Sequence, residues 1–363
     1  MKPVIKKLFI ATTFFLTAGT VAALAAESET DFKEQAARLV KVENPEVLPT
    51  IKRVVITSFM VDFVSELKYS KSLTGLDALI GADSDVAIRL VGSSNEQFQA
   101  IADSFYEQTV EQLQARGIEV VGREELAALP EFTELAASGV MPLPSEQDAK
   151  AGKGLFFSAK GLPLHLIDET QFITTISFGK KKEDDYLTFG TRFSGGFTAA
   201  QTQQLESRIA KQLDATLLKV RLTVLGGQLT PDTSFWTSGK VTTRAAASFV
   251  NFVTRHAFIT PDGNKARVSL QETVATDEIG VLINTTSDGT KAVDTAKNVA
   301  LVALNVASLA ARLGGMRSGY TGGFSATSEY ECRVQPEMFE KTLLSHHQTI
   351  ARMFGERLQN PGQ

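Results

Sequence analysis

Residues 217–229 read LLKVRLTVLGGQL. Apolar and polar side chains alternate here, which predicts a β-strand with a dry face of Leu218, Val220, Leu222 and Val224 and a wet face of Lys219, Arg221 and Thr223. The dry face packs either on a protein core or against lipid. The surroundings of this strand therefore distinguish an exported globular protein from a membrane pore. Strong helices elsewhere, few alternating segments, one Trp and five Tyr favour the protein core.

The first 26 residues predict a cleavable export signal. MKPVIKK places three lysines ahead of the apolar run LFIATTFFLTAGTVAALAA, and Ala23-Leu24-Ala25 supplies small residues before a cut after Ala26. This is the three-part order of a secretory signal. An uncleaved anchor is the alternative, because the run approaches the ~18–20 residues that span a bilayer. No cysteine lies at the cut, which argues against a lipid-anchored N terminus.

Charge and cysteine content narrow the class of protein. Without its 26-residue signal the chain has 337 residues, enough for one elaborate domain or two. The 37 basic residues then fall to 34 against 41 acidic ones, a net charge of −7. No long basic run remains, so binding to nucleic acid or to an anionic membrane surface is not expected. Cys332 is the only cysteine in the sequence, and we predict that it is a small residue of the core. The alternatives are a catalytic nucleophile or a disulfide bridge to another chain.

The N-terminal third predicts helices packed on a sheet. KRVVITSFMVDFV (52–64) is typical of a buried strand, and VAIRLVG (86–92) of a shorter one. A helix over about 95–116 is indicated by one apolar face, by capping boxes at Ser93 or Ser94 and by Gly117 after its end. IEVVGREEL (118–126) then gives a strand and the start of another helix.

The middle and C-terminal parts predict antiparallel hairpins and three more helices. QFITTISFG (171–179) and DYLTFGTRF (185–193) alternate around the charged tip KKKEDD, and a polar helix should run from Thr198 to about 215. A second hairpin within 249–272 has Pro-Asp-Gly-Asn at its tip. An Ala-rich stretch (292–313) predicts a buried helix followed by a Gly-rich loop (314–323), and Pro336 begins a last amphipathic helix to about Leu358.

The chain has no strong catalytic or metal-binding motif. Of its four histidines, His346 and His347 lie about 100° apart on a helix and cannot both bind one metal, and His256 lies in a strand. No H-E-x-x-H, C-x-x-C, G-x-S-x-G or phosphate-binding glycine motif occurs. His165 with Asp168 and Glu169 is the only cluster that suggests acid–base or metal chemistry. We therefore predict no catalytic, cofactor-binding or metal residue, and lean against an enzyme.

The order of elements resembles that of the curli-secretion channel (CsgG-like) family, whose periplasmic domain is related to the N-terminal domain of TolB. The resemblance rests on an exported chain, the first strand KRVVITSF and the helix FQAIADSFYEQTVEQLQARG leading into IEVVGREEL. KVRLTVLGGQL with SGKVTTRAA resembles that family's strand pair, and the Ala-rich helix has a matching place. The resemblance implies an α/β fold. The sequence departs from the family by lacking a lipobox cysteine and two clear membrane hairpins.

These observations predict an α/β to α+β protein with a mixed sheet, packed helices and a C-terminal amphipathic helix. The expected segments are a signal (1–26), a linker or entry segment (27–50), an α/β unit (51–150), a sheet-rich region continuous with it (151–334), and the final helix with its tail (335–363).

The expected function is that of an exported, non-catalytic envelope protein in the periplasm or at the periplasmic face of the outer membrane. It would act in assembly, secretion or partner binding, by self-association or with another envelope protein. A periplasmic hydrolase or ligand-binding protein is one alternative. A subunit of an outer-membrane pore, donating strands near 171–193 or 249–272, is the other.

Overall fold

A computed structural model describes residues 31–71, 84–149, 152–166, 189–231, 241–251, 253–285, 291–292, 320–322 and 327–361. The described helices are α1 (31–39), α2 (Asn95–Ala115), α3 (Arg123–Ala127), α4 (Pro130–Ala137), α5 (Phe189–Leu213) and α6 (Pro336–Gln359), with a 3₁₀ helix at Pro45–Thr50. The strands are β1 (Val40–Glu43), β2 (Arg53–Lys71), β3 (Ser84–Val91), β4 (Glu119–Val120), β5 (Ser145–Ala149), β6 (Gly152–Ser158), β7 (Thr216–Leu225), β8 (Gln228–Pro231), β9 (Val241–Arg244), β10 (Ala246–Phe249), β11 (Arg255–Ile259), β12 (Lys265–Leu270), β13 (Val274–Glu278), β14 (Gly280–Asn284), β15 (Lys291–Ala292), β16 (Tyr320–Gly322) and β17 (Thr327–Val334).

One large open sheet organises the fold. Its main path runs β1-β12-β11-β7-β2-β3-β17-β14-β15, with β4, β5, β6, β10 and β13 attached as branches. Pairs β2–β7, β2–β4 and β3–β17 are parallel and the remaining described pairs are antiparallel. A separate sheet has the order β16-β9-β8. The predicted α/β to α+β class with a mixed sheet is therefore confirmed.

The longest strand, β2, holds two parts of the sheet together. Its first half pairs with β7, and its last six residues pair with β3. It spans 19 residues because two register shifts, at Thr57 and Ser65, bend the strand without ending it. The sequence predicted only its first part, 52–64, because the nearly continuous apolar run ends at Val64 and the following SELKYSK is mostly polar.

Helices cover both faces of the central strands. Phe98 and Phe105 of α2, and Phe339 and Phe354 of α6, lie on the face that carries the even-numbered apolar residues of β7. Helix α5 lies on the opposite face, where its Glu206 reaches the sheet. The dry face of residues 217–229 thus packs on a protein core.

The two long helices have the ends that the sequence predicted. Ser94 caps α2 by accepting a hydrogen bond from the backbone N–H of Gln97 at 3.3 Å. Gly117 follows α2 with φ of +76°, a conformation that favours glycine. Helix α6 begins at Pro336 and ends one residue beyond the predicted Leu358.

Some predicted elements differ or lie elsewhere. Helix α5 begins at Phe189, so residues 189–193 of the second predicted strand are helical, and the strand assignment there was wrong. The apolar residues of 185–193 fit either period because the stretch is short. The rest of that hairpin, its tip KKKEDD and the Ala-rich stretch beyond Ala292 lie outside the described residues, as does most of the Gly-rich loop. The second predicted hairpin is confirmed as β11 and β12.

Candidate functional site

The face of β7 that the sequence predicted to be solvated is buried. Lys219, Arg221 and Thr223 are all buried, because α5 and neighbouring strands enclose this side of the sheet as well. The sequence reading of one solvated face was therefore wrong. The polar residues of β7 face other polar residues instead, which makes this face the first place to look for a site.

A buried ion pair joins α5 to the sheet. The Lys219 Nζ donates to Glu206 Oε2 at 2.5 Å, and the Thr57 hydroxyl donates to the other carboxylate oxygen at 2.8 Å. Both charged side chains are at most 3% exposed. A charge buried to this degree requires a partner of opposite sign, so this contact fixes the position of α5 along β7.

A row of buried arginines continues the polar face across the sheet. Arg221 on β7 lies directly opposite Arg255 on β11. Thr223, two residues further along β7 and on the same face, lies opposite Asp62 on β2. Gly154 on β6 leaves room for the Asp62 carboxylate, since a Cβ there would lie 2.4 Å from Asp62 Oδ1. Arg221, Arg255 and Asp62 therefore lie together on one enclosed face of the sheet.

At the far edge, Arg267 binds Glu43 with N–O distance 2.7 Å. Burial raises the pKa of Glu43, but hydrogen bonds from Arg267 and Lys41 outweigh that effect and hold the pKa below its ordinary value. The contact ties β1 to β12, so residues 40–43 of the predicted entry segment pack as part of the sheet.

The predicted His165 cluster has a contact that is unsuited to nucleophilic catalysis. His165 is buried, with its Nε2 at 3.1 Å from the hydroxyl of Ser138. That hydroxyl donates its hydrogen to the Leu135 carbonyl at 2.8 Å, so it does not offer this hydrogen to the imidazole. The other predicted members, Asp168 and Glu169, lie outside the described residues.

The other three histidines lie in the core between α6 and its neighbours. His347 stacks on Phe105 at 4.2 Å, and its Nδ1 lies 2.7 Å from Gln108 Oε1. Because Gln108 Nε2 donates to the Leu344 carbonyl, its oxygen accepts the Nδ1–H of His347. Burial and the neighbouring His256 lower the pKa of His347 to about 3, and burial alone lowers that of His256 to about 3. These imidazoles are neutral core residues.

The surroundings of Cys332 and His346 also indicate structural roles for these two residues. Burial raises the pKa of the Cys332 thiol to about 12, which suits the predicted core residue and makes a thiolate nucleophile unfavourable. Burial lowers the pKa of His346, although a hydrogen bond with the Thr342 carbonyl and the charge of Asp277 oppose the shift. Within the described ranges, no three His, Cys, Asp or Glu side chains come together as a metal site requires. No described helix combines the length and apolarity needed to cross a bilayer.

An open sheet edge is a candidate functional feature that the sequence analysis missed. At Ile279 the N–H donates to the Ala245 carbonyl at 2.8 Å and the C=O accepts from Gln335 N–H at 3.3 Å. Both groups of a strand residue point to the same side, so β10 and β17 lie on one side of the run 274–284. The backbone groups of Glu278, Gly280 and Leu282 point to the other side by alternation.

We call residues 278–282 the open edge. On the side away from β10 and β17, no strand among the described residues pairs with it, and β15 pairs with the adjoining Ile283 and Asn284. It contains no proline, lysine or arginine, and Val281 and Leu282 are only half-buried. Strand β1, at the opposite end of the sheet, carries Lys41 and Glu43 and is followed by Pro45. Charge and proline are the usual protection against edge pairing, so β1 has both, whereas the open edge has only the charge of Glu278.

Comparison with protein-family models, with curated proteins and with solved structures finds no match to this chain.

Proposed function

We propose that this chain is an exported, non-catalytic component of the cell envelope that acts by binding other protein chains. The export signal predicted at 1–26 supports a location in the periplasm or at the periplasmic face of the outer membrane. The partner is a further copy of the chain or another envelope protein, and the acidic balance speaks against nucleic acid.

The observation that carries this proposal is the open edge. A strand that offers unpaired N–H and C=O groups is a template for adding a strand from another chain. Gly280 keeps the edge in place, because a Cβ there would lie 2.0 Å from the Arg333 carbonyl oxygen of β17. The edge is thus held firmly by its inner neighbour, and among the described residues no strand pairs with its outer side.

Two alternatives have weaker support. A hydrolase based on His165 could not use Ser138 as its nucleophile, because the Ser138 hydroxyl donates its hydrogen to the Leu135 carbonyl. For a pore, the candidate segment 249–272 contributes β11 and β12, which are buried between β7 and β1. The other candidate segment, 171–193, lies mostly outside the described residues.

Fractionation of cells that express the full chain, followed by light scattering of the fraction that contains it, tests the proposal. We expect a processed protein in an envelope fraction, in a particle larger than the 39.3 kDa chain. A cytoplasmic protein, or a strict monomer that no envelope protein accompanies, would contradict it. Assembly through the edge is tested by Leu282→Pro, which removes an outward N–H. Leu282→Ala is the control, because it loses similar packing and keeps the N–H.

A further inference from the structure

We propose that Met141 is a site of reversible oxidation, at which a peroxide converts the thioether to the sulfoxide without disturbing the fold. The site does not depend on the proposed function, because it concerns the chemistry of one surface side chain. Met141 is 75% exposed, and among the described residues it is the large apolar side chain that lies in solvent. Oxidation of methionine follows the exposure of its sulfur, so this position should react first.

The loop that carries Met141 is held on both sides. On one side, the Val140 N–H donates to the Leu164 carbonyl at 2.9 Å. On the other side, Leu143 packs against a small buried cluster that includes Leu164. Strand β5 begins two residues after Leu143. The exposure of Met141 is therefore a property of a loop whose neighbouring residues are fixed to the protein.

The reaction is an oxygen transfer from hydrogen peroxide. The sulfur lone pair of Met141 attacks one peroxide oxygen, the O–O bond breaks and an S–O bond forms. The sulfur is oxidised by two electrons and the peroxide is reduced to hydroxide, which takes the proton of the transferred hydroxyl group and leaves as water. Methionine sulfoxide reductases reverse this change. The more polar sulfoxide stays in water at Met141, so its formation buries no polar group.

The buried methionines provide the contrast. Met60 is 2% exposed and Met353 is 0% exposed, and both pack in apolar clusters. A polar sulfoxide at either position would disrupt the core. Met338 in α6 is half-buried and should react at an intermediate rate, and Met316 lies outside the described residues. Mild oxidation of the folded chain should therefore modify Met141 well before Met60 or Met353.

Treatment of the purified full chain with hydrogen peroxide, followed by digestion and mass spectrometry of the peptides over time, tests the inference. We expect the peptide with Met141 to gain one oxygen at least about tenfold faster than those with Met60 and Met353. In urea the three rates should become equal, which assigns the difference to the fold. Met141→Leu is the matched variant, because it keeps an apolar side chain of similar size and has no sulfur. It should remove the fast product and leave the slow ones unchanged.

After oxidation of Met141 alone, the circular dichroism spectrum should be unchanged. A mixture of reductases that act on both sulfoxide epimers should return the peptide to its original mass. Oxidation of Met60 or Met353 as fast as Met141 in the folded chain would overturn the inference. A loss of helical signal on oxidation of Met141, or a sulfoxide there that the reductases cannot restore in the folded protein, would overturn it as well.

Discussion

Acid should weaken this fold through two buried histidines well before most carboxylates titrate. His256 and His347 each have a pKa of about 3 in the fold, against 6.5 as the ordinary value. Because the folded pKa is the lower one, the unfolded chain takes up protons first as the pH falls below 6.5, and stability is lost. Between pH 7.5 and 5.0, linkage gives a loss of about 2 kcal/mol for each histidine and about 4 kcal/mol for the pair.

Urea unfolding followed by circular dichroism at pH 7.5, 6.0 and 5.0 measures this effect. His347→Phe keeps an aromatic ring on Phe105 but cannot titrate, so its pH-dependent loss should fall to about 2 kcal/mol. Phe354→Leu is the control, because Phe354 packs edge-on against His256 at 4.8 Å and does not titrate. It should lower stability by about 1 kcal/mol at every pH and keep the full pH dependence. A wild-type loss below about 1 kcal/mol by pH 5.0, or an unchanged dependence in His347→Phe, would refute the reasoning.

Three further predictions concern the interior. Lys219→Met should lower the free energy of unfolding in urea by about 3 kcal/mol, because it leaves Glu206 buried without its cation. Adding Glu206→Leu should recover most of that loss, and an equally unstable double variant would contradict the ion-pair account. Gly154→Ala should cost about 2 kcal/mol through its clash with the Asp62 carboxylate, whereas an added Cβ at Gly122 meets no atom within 4 Å and should cost a few tenths. The buried Cys332 thiol should react with a disulfide reagent only in denaturant, and rapid labelling of the native protein would disprove its burial.

Helix ends and hairpins that depend on residues close together in sequence were predicted correctly. The cap at Ser94, the glycine at 117 and the proline at 336 set helix ends, so α2 and α6 could be placed to within about two residues. The Pro-Asp-Gly-Asn tip likewise set the β11–β12 hairpin. In each case the deciding contacts span only a few residues.

Properties that depend on distant partners could not be predicted. Lys219 and Arg221 alternate with apolar residues as they would on a solvated strand, and only the presence of Glu206 on α5 shows that this face is buried. The open edge is equally invisible, because 278–282 is a short apolar stretch whose unpaired side depends on where β10 and β17 lie. The contact of His165 with Ser138 was not predictable for the same reason, since the two residues lie 27 positions apart in sequence.

The central sheet cannot form before β7 has been synthesised, because β7 is the main neighbour of β2. Val54 lies beside Thr216 and Val64 beside Leu225, so partners about 160 residues apart must both be present before the sheet has a centre. Contacts of such long sequence separation slow folding, because a large loop must close before they form. The first 150 or so residues expose β2 without its main neighbour until β7 arrives. Until β7 is made, β2 can pair only with β3, β4 and β6, so the centre of the sheet forms late.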